Sequence, residues 1–280
     1  MINKKRSKLR GSLAVPYLFL LVTVAVAVFP FLWTAAAATH TNTQIFTSSM
    51  AFTPSTHFIE NYHTLMKFSN VWRNLWNSVF IAVATTFLVC IVDALAGYAF
   101  AKFHFKGRDT VFFLCLCSLF IPQQVIVIPQ YIEVSSIGLI NNAWAVILPR
   151  LAAVFGVFLM RQNFMAFPDD LIEAARMDGA GDLRTFLQVV IPTMKPAFAS
   201  LGILTFVQTW GDYMWPLIVL SEKSSYTLPL VLALRGAGAN VVEYGALMVG
   251  ALMALAPVLV FFLCFQKNFI EGMLSGAIKG

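Results

Sequence analysis

The sequence predicts an all-α, polytopic membrane fold with six transmembrane helices, and three observations lead there. Of its 280 residues 59% are apolar and only 11% charged, against roughly 25% charged residues in a soluble domain. Residues 74–92, 110–132 and 244–266 contain no Asp, Glu, Lys or Arg, and at 1.5 Å per residue each can cross a hydrocarbon layer about 30 Å thick. All but one of the 19 basic residues lie next to apolar stretches, most of them on one side of the resulting map. Glycine and proline are scattered without a period and the apolar content is far too high for a collagen-like or disordered chain.

The first span is read at residues 13–38, after Lys4, Lys5, Arg6, Lys8 and Arg10. Its Ala35 to Ala38 run imitates a signal-peptidase site, but the apolar stretch is too long for a signal core and holds Pro16 and Pro30. An uncleaved anchor is expected. The loop at 39–76 is polar, aromatic and too short for a separate enzymatic domain. With no internal repeat, residues 1–280 form a single domain in this reading.

The remaining spans are placed at 77–100, 110–130, 141–160, 197–220 and 244–265, the fourth interrupted by Arg150 and the fifth by Asp212. On this map Lys102, Lys106, Arg108, Arg161, Arg176, Arg184, Lys195, Lys267 and Lys279 join the N-terminal basic cluster on one face. Only Lys67, Arg73, Lys223 and Arg235 lie on the other. The bias places both termini in the cytoplasm. Basic residues beside spans explain the net charge of +6 without nucleic acid.

Several chemistries lack their residues. Cys90, Cys115, Cys117 and Cys264 fall in apolar windows and read as buried packing thiols, not disulfides or a zinc site. His40, His57, His63 and His104 have no metal-ligand spacing and read as exposed or interfacial, so no metal site is expected. No Ser, His and acid grouping supports hydrolysis. No Gly precedes a Lys, which rules out a phosphate-binding loop of the GxxxxGK[ST] type. Gly179-Ala-Gly181 and Gly236-Ala-Gly238 lack the third glycine of a dinucleotide fingerprint.

The cytoplasmic loop at 163–196 is the informative segment. Pro168, Asp169 and Asp170 suit a helix start, where Pro has no donor to lose and negative charge meets the positive end of the helix dipole. Leu171, Ala174 and Ala175 then form a narrow small-residue face opposite Glu173 and Arg176, and Gly179 and Gly181 stop the helix. A second pattern, Leu183, Phe186, Leu187 and Val190, is closed by Pro192 and Pro196. Such a loop either docks as a lever on a soluble partner or lies on lipid headgroups. Ala174 and Ala175 offer little area for lipid anchoring, which favours the lever.

Glu173-Ala174-Ala175, Gly179 and Val189-Val190-Ile191-Pro192 resemble the EAA loop of the membrane subunits of binding-protein-dependent ABC importers, with Val189 and Ile191 where Ile and Leu are usual. Further matches run along the chain: Pro30 to Trp33, Asn77-Ser78, Gly97-Tyr98-Ala99-Phe100-Ala101, Phe105 to Arg108, Ile128 to Tyr131, Gly138-Leu139, Ile147 to Pro149, Phe158 to Gln162, Trp210 to Pro216 and Gly276 to Gly280. Thr41 departs from a lysine often found there. The resemblance is to the six-span permeases of carbohydrate importers, in the bacterial cytoplasmic membrane. It implies a second permease, two ABC ATPase subunits that carry ATP and Mg, an extracytoplasmic solute-binding protein and a sugar solute. This chain then needs no cofactor and catalyses nothing itself. Glu173, Ala174, Ala175, Asp178, Gly179 and Pro192 become the ATPase-coupling residues.

For the pathway, a charge at mid-bilayer costs about 2.5–3.5 kcal/mol on insertion scales, so Asp93, Arg150 and Asp212 should face protein or water. Asp93 is placed near the cytoplasmic end of its span, within reach of water. Thr205, Gln208, Asp212 and Trp215 fall within about an 80° arc of one helix and are the candidate sugar-facing stripe. In the competing reading Asp212 bonds the partner permease or the backbone freed by Pro216, and Trp210, Tyr213 and Trp215 form an interfacial belt. Arg150 pairs with either acid. Two alternatives remain open: an ion-gradient-driven transporter or channel, and an importer of a polyol or glycerol phosphate.

Overall fold

The computed structural model describes residues 2–47, 53–237 and 242–277, with side chains over 15–47, 53–151, 153–237 and 242–267. Of the tail motif, Ile278, Lys279 and Gly280 lie outside the described residues, as do the side chains of the basic N-terminus. The described residues are helical, with no strand among them. In order the helices are α1 (Ile2–Ala37), α2 (Asn42–Phe46), α3 (Phe58–Phe68), α4 (Val71–Lys102), α5 (Arg108–Cys117), α6 (Gln123–Ser136), α7 (Ala143–Ile147) and α8 (Val154–Met165). They continue as α9 (Asp169–Met177), α10 (Asp182–Thr185), α11 (Ile191–Thr193), α12 (Lys195–Gly211), α13 (Met214–Val219), α14 (Leu228–Ala237) and α15 (Tyr244–Ala277).

Val15–Ala37, Val71–Lys102 and Tyr244–Lys267 are each long and apolar enough to cross a membrane. Three further passages are bent pairs, and counting each as one span gives six. The expected straight third span, 110–130, is broken: Arg108–Phe120 and Gln123–Ser136 meet at 105°. Pro122 is the cause, since it drives Ile121 into an extended conformation and has no N–H to continue the ladder. The fourth, 141–160, bends by 45° between Ala143–Leu151 and Val154–Met165.

The fifth, 197–220, begins instead at Lys195 and stops at Gly211, and α13 follows after Asp212 and Tyr213. Asp212 Oδ1 accepts the N–H groups of Met214 at 3.0 Å and Trp215 at 3.4 Å. Its side chain thereby replaces the helical ladder, as short acidic side chains do at turns.

Contacts divide the chain into two compact units, Met1–Phe68 with Leu234–Met253 and Ser69–Ala233 with Ala254–Gly280. In the first, Thr41 and Gln44 form a reciprocal capping box on α2. Asn61 donates to the carbonyls of Ala38 and His40 at 2.9 Å, and Asn42 donates to Val242 at 2.7 Å. His40, read as exposed or interfacial, is buried, and its Nδ1 bonds the Ala36 carbonyl at 2.7 Å.

In the second unit α4 packs chiefly on α8 and α12. A Cβ at Gly97 would stand 2.8 Å from Met160 Cβ and 2.9 Å from the Arg161 nitrogen, so glycine sets the α4–α8 separation. Phe206 stacks on Phe261 at 3.9 Å and on Trp210 at 5.8 Å. Of the three aromatics of the competing belt reading, Trp210 and Trp215 are buried and Tyr213 is exposed. The cysteines are free; Cys90 and Cys115 are half-buried, and Cys117 and Cys264 are exposed instead of buried.

Candidate functional site

Two places carry the predicted site residues: the loop at 163–196 and a cavity among the helices of the second unit. In the loop, α9 begins after Pro168 with Asp169 and Asp170 in its first turn and ends with Arg176 in its last, both favourable to the helix dipole. At its end Gly179 N–H bonds the Arg176 carbonyl and Ala180 N–H the Ala175 carbonyl, both at 3.0 Å. This Schellman pair requires the left-handed φ of 81° that Gly179 adopts. Asp178 is the last residue before the reversal.

The second helical pattern forms one rod over Asp182–Thr193, in which Phe186–Val190 is a π-helical turn. Ile191 N–H reaches back to Phe186. Pro192, which offers no N–H and crowds the carbonyl four residues earlier, accounts for the widened turn before it. The rod runs through Pro192 and turns by 81° into α12. The expectation that Pro192 ends this helix is corrected to that extent.

What fastens the loop is mostly aromatic. Tyr98, near the end of α4, lies 5.6 Å from Phe164 of α8 and 4.8 Å from Phe186 of the rod, ring centre to ring centre. Ile172 of α9, Val190 of the rod and Leu201 of α12 share this buried cluster. Two ion pairs flank it. Lys102 bonds both Asp169 and the Phe167 carbonyl, and Arg176 meets Asp182 at 2.9 Å. The Lys102 ammonium holds the Asp169 carboxyl below the usual carboxylate range.

With Ile172 turned inward, Leu171, Glu173, Ala174, Arg176, Met177 and Asp178 are exposed and Ala175 is half-buried. Met177 is 87% exposed, an uncovered apolar side chain on a helix otherwise fastened to the bundle.

The cavity has a volume of about 430 Å³ and brings together Thr205 and Gln208 of α12, Trp215 of α13, Arg150, and Gln123 and Gln130 of α6. The predicted stripe was drawn on one continuous helix; the break at Asp212 removes that geometry, yet Thr205, Gln208 and Trp215 still line one space. Asp212 itself is engaged elsewhere, with Oδ2 accepting from Arg150 at 2.6 Å. Trp215 is 6% exposed and donates its indole N–H to Ala145 at 2.9 Å. Asp93, expected within reach of water, is 1% exposed because α8 closes over it at Gly156.

Sequence reasoning missed the Tyr98 cluster, the π turn and the Lys102 clamp. The Gly97 to Ala101 match marked the right place without a physical role.

A family model described as binding-protein-dependent transport system inner membrane component matches residues 93–274. A lactose transport system permease protein of Rhizobium radiobacter is 34% identical over 265 residues, covering 95% of this chain and 96% of that protein. An arabinooligosaccharides transport system permease protein of Halalkalibacterium halodurans is 34% identical over 260 residues, 91% and 92% of the two chains. A chain in the crystal structure of a bacterial ABC transporter involved in import of the acidic polysaccharide alginate shares the fold, with a TM-score of 0.78 over 93% of this chain and 97% of that one at 24% identity. On this similarity, and on helices fit to cross a membrane several times, the chain belongs to the binding-protein-dependent transport system inner membrane component family.

Proposed function

We propose that this chain is the permease subunit of an ATP-driven, binding-protein-dependent sugar importer and forms half of its translocation pathway. A second, different permease supplies the other half. Two ATPase subunits, which hold ATP and Mg, seat the α9 helix, and an extracytoplasmic binding protein delivers the sugar. Both termini face the cytoplasm, and the chain performs no catalysis of its own. The sugar assignment follows the lactose and arabinooligosaccharide permeases it resembles along nearly its whole length.

The observation that carries the coupling role is α9 itself, pinned to α4, α8 and α12 through Ile172 and the Tyr98 cluster while its other face stays uncovered. A displacement imposed on Leu171, Ala174 and Met177 by a partner passes into three spans together, because packed clusters move as units. Glu173 and Asp178 orient the docked partner by charge, and Gly179 and Pro192 shape the loop's turn and rod.

The test is co-expression with the candidate permease, ATPase and binding-protein subunits, followed by uptake of labelled lactose and arabinan oligosaccharides into proteoliposomes. Uptake that needs all four components and ATP supports the reading. Uptake driven by an ion gradient with this chain alone overturns it.

A further inference from the structure

Asp93 stands out in the second unit. Its side chain is 1% exposed, and neither carboxyl oxygen has a hydrogen-bond partner among the described residues. Buried polar groups are almost always bonded, so an orphaned carboxyl calls for a partner that the chain itself does not supply.

Its surroundings say what kind of partner. Asp93 belongs to the wall of the 430 Å³ cavity, and so does Gly156, the residue that makes space for it. A Cβ at Gly156 would collide with Asp93 Oδ2 and stand 2.8 Å from its Cγ, so only glycine admits the carboxyl at this wall. The guanidinium in the same lining, Arg150, is engaged by Asp212 and leaves Asp93 unpaired. Around them the lining offers uncharged hydroxyl and amide groups, Ser118, Gln123, Gln130 and Gln208, between apolar walls.

A metal ion would need several oxygen ligands and finds one carboxylate beside a guanidinium. An anionic solute would meet the Asp93 carboxyl in a lining whose Arg150 charge is already offset by Asp212. A neutral, hydroxylated solute matches the set, since a carboxyl accepts hydroxyl donors while the apolar walls cover the carbon skeleton.

We propose that Asp93 is a solute subsite of the cavity, whose carboxyl receives hydroxyl groups of the sugar in transit and sets the preference for neutral hydroxylated solutes. This rests on the sugar-importer reading above.

The experiment compares wild type, Asp93→Asn and Asp93→Ala in the reconstituted four-component importer, with lactose and its monodeoxy analogues as probes. Because the carboxyl bonds nothing in the chain, both variants should assemble in normal amount. The KM for lactose should rise about tenfold, the usual effect of leaving a buried hydrogen-bonding group unsatisfied. One deoxy analogue should lose affinity in wild type and lose nothing further in Asp93→Asn, a coupling that a merely structural role would not produce.

A KM within twofold of wild type in both variants, or deoxy penalties identical in wild type and variant, overturns the subsite while lactose uptake leaves the importer reading standing. Absence of lactose and arabinan oligosaccharide uptake in wild type overturns the sugar reading and the subsite with it. Failure of both variants to assemble also overturns the subsite, since it assigns the carboxyl a structural role.

Discussion

Replacing Phe186 with alanine tests how the loop is fastened to the spans. Phe186 is 4% exposed and lies 4.8 Å from Tyr98 and 6.1 Å from Phe164, ring to ring. Truncating a buried phenylalanine costs about 3–5 kcal/mol. The aromatic pairings themselves add about 0.5–1.5 kcal/mol within that sum. The surface pair Arg176–Asp182, half-exposed on both sides, contributes about 0.2–1 kcal/mol and cannot compensate.

At about 1.4 kcal/mol per tenfold, the equilibrium for local opening of the loop should rise by about 10²-fold or more. Hydrogen exchange over residues 169–177 reads that opening, and sugar moved per ATP hydrolysed in proteoliposomes reads the coupling. Phe186→Ala should exchange faster and waste ATP. Phe186→Leu keeps most of the apolar volume but loses the ring contacts, so it should fall between wild type and Phe186→Ala. Wild-type exchange together with a wild-type sugar-to-ATP ratio in Phe186→Ala would refute the aromatic linkage.

Three further outcomes are expected. Gly97→Val should lower the yield of assembled complex in detergent, because its Cβ meets the backbone of α8 at 2.9 Å, an overpacking that costs about 1–3 kcal/mol. Asp212→Asn should destabilise the complex by about 1.5–3 kcal/mol by removing the charge partner of the part-buried Arg150, whereas Arg150→Gln with Asp212→Asn should recover thermal stability. The Lys102–Asp169 clamp should weaken with acid. Asp169 has a lowered folded value, so its contribution is complete above the ordinary carboxylate range and disappears as pH falls through the lowered one. In Lys102→Met that acid dependence of loop exchange should vanish.

How much of this was legible beforehand follows from the range of the forces involved. The bounds of α9 were visible because they are set within one turn, by Pro168 with its acidic neighbours and by the left-handed Gly179. The long apolar spans were visible because length and composition alone decide them. The breaks were not. Pro122 sits in an uncharged run that hydropathy reads as continuous, and the stop at Asp212 depends on its carboxyl competing for backbone N–H groups.

Pairing was hidden for a different reason. Arg150 and Asp212 lie 62 positions apart, and charge alone made Asp93 an equal candidate. Tyr98, Phe164 and Phe186 come from three segments with no shared period, so their cluster exists only once α4, α8 and the rod are folded together. The same folding isolates Asp93, a residue whose number of partners no sequence pattern reports.

The central claim is that α9 is a docking helix for the motor subunits, and cysteine crosslinking of Ala174→Cys in the assembled importer tests it most directly. With the four native cysteines replaced, the account predicts a crosslink to an ATPase subunit and no labelling of position 174 by a membrane-impermeant thiol reagent added outside the cell. Labelling from outside, or an assembled and active complex in which position 174 crosslinks to no ATPase subunit, would contradict it.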